Sequence, residues 1–206
     1  QNIMRVFKFG GASVKDAEGV KNVVHVLSET GHENTVIVIS AMGKTTNALE
    51  AVVDAYFNRP ESYKSTLIET EAFHQDIIEA LFEAPNTAVS KRVKDLFNQC
   101  HTFLANNRSP QEAFVYDQVV SFGELISTSI VCAYLNHVGI AAEWVDARAC
   151  IKTDDFYRSA HLDWERTQLA IQNQVQGNVL KVTQGFIGSD DNNFTTTLGR
   201  EGSDYS

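Results

Sequence analysis

This chain has few of the residues that mark a special environment. Only three of its 206 residues are cysteine, Cys100, Cys132 and Cys150, with no CxxC spacing. An odd, scattered set excludes a disulfide framework and fits a reducing compartment, so a cytoplasmic location is expected. Basic residues are scarce: 17 Lys and Arg face 26 Asp and Glu, for a net charge of −9. That balance argues against nucleic acid as a partner, because a nucleic-acid binder shows a basic stripe. A small anionic ligand held by a few placed cations stays open. No uninterrupted apolar run approaches about 18 residues, so no membrane-spanning segment is expected. The N-terminus lacks a signal-peptide pattern, and Val6 to Phe9 is too short for its apolar region. There is no GxGxxG, which removes the dinucleotide fingerprint. Gly43-Lys44-Thr45 imitates the end of a P-loop, but the glycine required five positions earlier is Val38.

What is present is 43% hydrophobic, enough for one good-sized core. Met4-Arg5-Val6-Phe7 and Thr35-Val36-Ile37-Val38-Ile39-Ser40 read as strands, the second as a buried parallel one. Between them Val20, Val23, Val24 and Leu27 recur at helical spacing, and Ser13 with Asp16 resembles a capping box. Residues 44–137 are mostly helical in pattern. Three helices are expected around Ala48–Phe57, Tyr63–Leu81 and Val89–Leu104, with Pro60 and Pro85 between them. Ser109-Pro110-Gln111-Glu112 predicts a helix start capped by Ser109, leading to about His137. Strands return at 141–146 and 178–183, with a helix over 162–176 between them. The alternation predicts an α/β fold: a largely parallel sheet covered on both faces, with the helical stretch as an insertion or lobe.

Five segments carry candidate chemistry. Lys8-Phe9-Gly10-Gly11-Ala12-Ser13 follows a strand and precedes a helix. Glycine N–H groups and a helix N-terminus can approach a phosphate, and Lys8 adds a point charge on the same turn. Ser40 to Asn47 places hydroxyls at a strand's C-terminal end, where α/β ligands bind. Ser121-Phe122-Gly123-Glu124 sets a glycine and a carboxylate inside an apolar helix. Such a carboxylate either pairs with a ligand ammonium or lies at the surface beside a packing glycine. Gln184-Gly185-Phe186-Ile187-Gly188-Ser189 suggests a close backbone approach or a plain turn, and Asp190 to Asn193 after it reads as an exposed turn. Thr195 to Asp204 is the densest polar stretch; Arg200 could fork onto a carboxylate or phosphate, and Asp204 could orient a lysine or help bind a metal.

Together these segments resemble the aspartokinases of the amino acid kinase superfamily. The resemblance rests on Lys8-Phe9-Gly10-Gly11-Ala12-Ser13-Val14, Ser121-Phe122-Gly123-Glu124, Val145-Asp146-Ala147-Arg148, Gly185-Phe186-Ile187-Gly188 and Thr195 to Tyr205, in order and across nearly the whole chain. Two positions depart from the family pattern: Ala12 stands where threonine is usual, and Glu201 where glycine is usual.

The resemblance implies a three-layer αβα sandwich with a mainly parallel sheet, the amino acid kinase fold. It implies transfer of the γ-phosphoryl of ATP, with nucleotide-bound Mg2+, to the side-chain carboxylate of L-aspartate, opening lysine, threonine and methionine synthesis. By matched position, Lys8 would neutralise charge on the transferring phosphoryl group, with Gly10 and Gly11 on the nucleotide phosphates. Arg200 would clamp the substrate α-carboxylate and Glu124 its ammonium. Ser40, Thr45 or Thr46, the Phe186 backbone and Ser203 would complete the pocket, and Asp204 would hold Lys8. No metal-ligating side chain is implied. A homo-oligomer is implied for a full-length protein.

The chain closes in mid-motif on Gly-Ser-Asp-Tyr-Ser. The expectation is therefore the N-terminal part of a catalytic domain, incomplete at the C-terminus. It would lack the nucleotide-binding C-terminal part and any ACT regulatory domains, and would be inactive alone. Two other readings remain at this point: another amino acid kinase acting on glutamate or acetylglutamate, and a non-catalytic module binding an acidic amino acid.

Overall fold

The computed structural model describes residues 3–83 and 87–199. Arg200, Ser203 and Asp204, with the Glu201 departure, lie outside the described residues. Strand β1 (Arg5–Phe9) leads to helix α1 (Ala17–Thr30) and strand β2 (Thr35–Ile39). Five helices follow: α2 (Thr45–Asn58), α3 (Tyr63–Phe82), α4 (Thr87–Asn106), α5 (Glu112–Val120) and α6 (Phe122–His137). Strand β3 (Ala142–Val145), a 3-10 turn at Ala147–Ala149, helix α7 (Trp164–Gln174) and strand β4 (Leu180–Gln184) come next. A hairpin of β5 (Ile187–Ser189) and β6 (Thr195–Thr197) closes the described chain.

The main sheet is fully parallel, in the order β1-β2-β4-β3. Phe7 lies beside Ile37, Ile37 beside Val182, and Val182 beside Trp144. Side chains alternate faces along a strand, so these four share one face. Helix α6 packs there, where its Thr128 hydroxyl accepts hydrogen bonds from Trp144 Nε1 and Gln184 Nε2, both at 2.9 Å. The apolar stripe of α1, Val20, Val23 and Leu27, joins the same core. The opposite face carries Val6, Val36, Val38 and Thr183 and meets Ile171 of α7. Cover on that side is partial: an apolar hollow of about 210 Å³ remains beneath α7. Helix α6 is both the last element of the helical stretch and a layer of the sandwich.

Several local expectations shift. Helix α1 is capped by Asp16 itself, whose carboxylate accepts from Gly19 N at 2.8 Å. Ser13 instead closes the preceding turn by donating its N–H to the Gly10 carbonyl at 3.0 Å. Helix α5 starts at Glu112, two residues later than Pro110 implies. Ser109 Oγ accepts from Gln111 N at 3.2 Å, a local turn that competes with the first helical turn. Residues 191–193 are an exposed turn as expected, but Asp190, which opens it, is buried; its carboxylate accepts from Tyr157 Oη at 2.7 Å, Asn192 N at 2.9 Å and Phe194 N at 3.0 Å. Glu112–His137 as a unit is long and apolar enough to cross a membrane, with mean hydropathy 1.4, yet 78% of its apolar window is buried. Its composition is that of a helix packed on all sides.

Candidate functional site

Three parallel strands end side by side, and the segments that follow them meet. Beyond β1, the Gly10-Gly11 turn is pinned by Gly43 N donating to Gly11 O at 3.0 Å, and Ser40 N donates to Phe9 O at 3.0 Å. A methyl group on Gly11 would sit 2.9 Å from the carbonyl oxygens of both Ala41 and Gly43, so only glycine lets the two turns touch. A methyl on Gly10 would meet nothing within 4 Å, which leaves the backbone there open to approach.

Beyond β2, the turn at 40–43 runs into the N-terminus of α2. Here Gly123 of α6 faces Ala41, whose methyl would stand 2.9 Å from a Cβ at 123. That close approach brings Glu124 to the turn: its Oε1 accepts from Ala41 N at 3.2 Å, and the residue is 3% exposed. The glycine before Glu124 is thus a packing glycine and the carboxylate is buried at the same time. Ser127 Oγ donates to Ser40 O at 2.8 Å, a second tie between α6 and this turn. Beyond β4, Gly185 N donates to Ile39 O at 3.2 Å, and Phe186, buried and at φ 75°, receives Leu198 N on its carbonyl at 2.9 Å.

The structure therefore brings Gly10, Gly11, Ser40, Glu124 and Phe186 to one end of the sheet. Lys8 sits within β1 beside Val38, on the strand rather than the turn. Helix α1 begins at Ala17, so its N-terminus lies beyond the Gly10-Gly11 turn, and backbone N–H groups are what that turn itself offers. Thr45 is buried and donates its hydroxyl to Met42 O at 2.6 Å; Thr46 is half-buried at the start of α2. Ala12 is exposed on the turn.

Two buried titratable groups next to this site escaped the sequence reading. His74 of α3 has its Nδ1 2.7 Å from Thr70 O and its Nε2 3.4 Å from Thr45 Oγ1. Burial pushes its pKa down to about 4, only partly opposed by the Thr70 carbonyl. The ring is then neutral with its proton on Nδ1. Asp117 of α5 is fully buried, and burial pushes its pKa up to about 7 despite hydrogen bonds from Thr197 and Arg158 and the Arg158 charge. The available signal was a polar pair, Asp117-Gln118, inside the apolar run Val115 to Val120. Among the described residues, no three His, Cys, Asp or Glu side chains cluster as a metal site.

Comparison with known proteins identifies relatives of this fold. The chain is 35% identical over 213 residues to aspartokinase 2, chloroplastic, of Arabidopsis thaliana, covering 97% of this chain and 38% of that one. It is 29% identical to the lysine-sensitive aspartokinase 3 of Escherichia coli, over 97% of this chain and 44% of that protein. The crystal structure of E. coli aspartokinase III in complex with aspartate and ADP superposes with a TM-score of 0.87 at 29% identity, over 98% of this chain and 45% of that one. The chain thus spans less than half the length of these relatives. A family model described as the amino acid kinase family matches residues 4–206. On the fold, the turns at its strand ends and this match, the chain belongs to the amino acid kinase family.

Proposed function

We propose that this chain is the N-terminal part of an aspartate kinase catalytic domain, with residues 44–137 as its largely helical lobe. The observation that carries the reading is the buried Glu124 carboxylate, held at the turn beside Ser40 and Gly11 at the strand ends. A structural relative of the same fold is described with aspartate and ADP bound.

In this reading L-aspartate lies with its ammonium at Glu124 and its α-carboxylate at Arg200. Ser40, Thr46 or Thr45, the Phe186 backbone and Ser203 line the rest. Thr46 is the better-placed threonine, since the Thr45 hydroxyl points inward to Met42. The side-chain carboxylate is ionised at pH 7 and needs no general base. One of its oxygens attacks the γ-phosphorus of ATP, the bond to the β-phosphate oxygen breaks, and ADP leaves with 4-phospho-L-aspartate formed. Catalysis then rests on alignment and charge stabilisation. Lys8 stabilises the transferring group, Asp204 holds Lys8, and the open backbone at Gly10 with Gly11 faces the phosphates. The Mg2+ travels on the nucleotide. This is the entry step of lysine, threonine and methionine synthesis, in a soluble, cytoplasmic homo-oligomer. Residues 1–206 alone hold the aspartate side of the site and are expected to be inactive as a kinase.

The test is an ADP-release assay on the full-length protein with L-aspartate, L-glutamate and N-acetyl-L-glutamate. Activity confined to L-aspartate, abolished by Lys8→Ala, supports the reading. Preference for either glutamate, or near-normal turnover in Lys8→Ala, overturns it.

A further inference from the structure

After Glu112 at its start, helix α5 is apolar except at Asp117 and Gln118, and both side chains bond strand β6. Asp117 Oδ1 accepts from Thr197 Oγ1 at 2.7 Å and Arg158 N at 3.0 Å; Oδ2 accepts from Thr197 N at 2.8 Å and Arg158 N at 3.2 Å. Gln118 Nε2 donates to Thr195 O at 2.7 Å, and its Oε1 accepts from Thr195 N at 3.2 Å. Ala160 N donates to Thr197 O at 3.0 Å. The outer edge of β6 is therefore closed by side chains of α5 and by the 154–161 loop, while β5 pairs its inner edge. Around Asp117 stand Arg158, whose guanidinium lies 4.0 Å from the Tyr116 ring centroid, and Tyr157, whose hydroxyl is bound to Asp190.

The placement of these ties is what matters. Asp117 precedes Glu124 by seven residues, across the short break at Ser121 between α5 and α6. Thr197 is followed by Leu198, whose N–H donates to the Phe186 carbonyl at 2.9 Å. From the Asp117–Thr197–Arg158 junction we infer that Asp117 is a positioning residue for the acidic substrate. It locks the strand that holds the Phe186 turn to the helix pair that carries Glu124, and so sets the spacing between two walls of the aspartate pocket, Glu124 and the Phe186 backbone. This rests on the aspartate-site reading above.

A carboxylate suits the task, since three donors, Thr197 N, Thr197 Oγ1 and Arg158 N, converge on it. Ionised above about pH 7, the carboxylate is acceptor-only and satisfies all three; an amide turns its NH2 toward one of them.

The experiment is steady-state kinetics at about pH 8, where Asp117 is ionised, on the full-length protein with Asp117→Asn, Thr197→Val and Glu124→Gln, together with hydrogen exchange at the Thr197 amide. Asp117→Asn is expected to raise the KM for L-aspartate about tenfold, as loss of one charged hydrogen bond predicts, with kcat and the KM for ATP little changed. Thr197→Val, which deletes only the hydroxyl donor, is expected to raise the same KM about threefold, and the double variant to do less than the product of the two. Faster exchange at Thr197 accompanies both. An Asp117→Asn enzyme with faster Thr197 exchange but wild-type KM for L-aspartate overturns the inference. So does an unchanged KM in Thr197→Val, which decides the matter if Asp117→Asn does not fold. If Glu124→Gln leaves the KM for L-aspartate unchanged, the aspartate-site reading fails, and this inference with it.

Discussion

Gly10 and Gly11 are neighbours, and a methyl group would separate them. At Gly11 it would press on two backbone carbonyls at 2.9 Å, and backbone can yield only by moving the 40–43 turn. Gly11→Ala is therefore expected to cost about 1–3 kcal/mol, read as a lower urea midpoint. At Gly10 the same methyl enters open space. Gly10→Ala is expected to leave the midpoint within about 0.5 kcal/mol and to raise the KM for ATP in the full-length protein. Equal loss of stability in both would remove the distinction. The glycine pair after a strand could be noticed in the sequence, because a turn motif is local. Asp117 could not be read in the same way. Its donors lie 41 and 80 residues away, and a lone carboxylate in an apolar helix has no reading until those partners are known.

Among the elements, α6 bears the densest set of ties. Its apolar pattern is plain in the sequence, and so are the helices α2 to α4 and the buried run of β2, because periodicity reports burial directly. The helix starts were harder. Ser109 is held in a side-chain turn with Asn107, whose Nδ2 donates to Ser109 O at 3.0 Å, and Ser13 closes a backbone turn to Gly10, so neither makes the expected cap. The polar side chains that fasten α6 to the sheet were also hidden. The Thr128 hydroxyl donates to Glu124 O at 2.7 Å and accepts from Trp144 Nε1 and Gln184 Nε2, so one oxygen joins α6, β3 and β4. Thr128→Val keeps the shape and strands two N–H donors. It is expected to cost roughly 2–4 kcal/mol, well above the sub-kcal cost of a surface change. A melting temperature within a degree of wild type would show that the junction contributes little.

For the molecule as a whole, the strand order had to come from the structure, since parallel pairing across a crossover leaves no local trace. The same is true of how two of its buried titratable groups, Asp117 and His74, oppose each other. Asp117 keeps its proton in the folded state up to about pH 7, while an unfolded aspartate releases it near 3.8. Between those values the folded protein binds the extra proton, so this group's stabilisation is complete below about pH 4 and is lost as pH rises through 7. His74 behaves in the reverse sense. It takes a proton near pH 6.5 when unfolded and near pH 4 when folded, so its contribution is present above 6.5 and is lost as pH falls through 4. From pH 4 to 6.5 one proton is bound on folding and one released, and the two slopes, each at most about 1.4 kcal/mol per pH unit, cancel. Removing either group unmasks the other. His74→Phe keeps a ring beside Phe97 and is expected to lose up to roughly 3 kcal/mol as pH rises from 4 to 6.5, relative to wild type. Asp117→Asn is expected to lose a similar amount as pH falls over the same range. Urea unfolding at half-unit pH steps reads the slopes directly, and every other ionisable group cancels in the comparison with wild type. Parallel profiles for the two variants would mean that Asp117 and His74 do not hold their protons as their burial dictates.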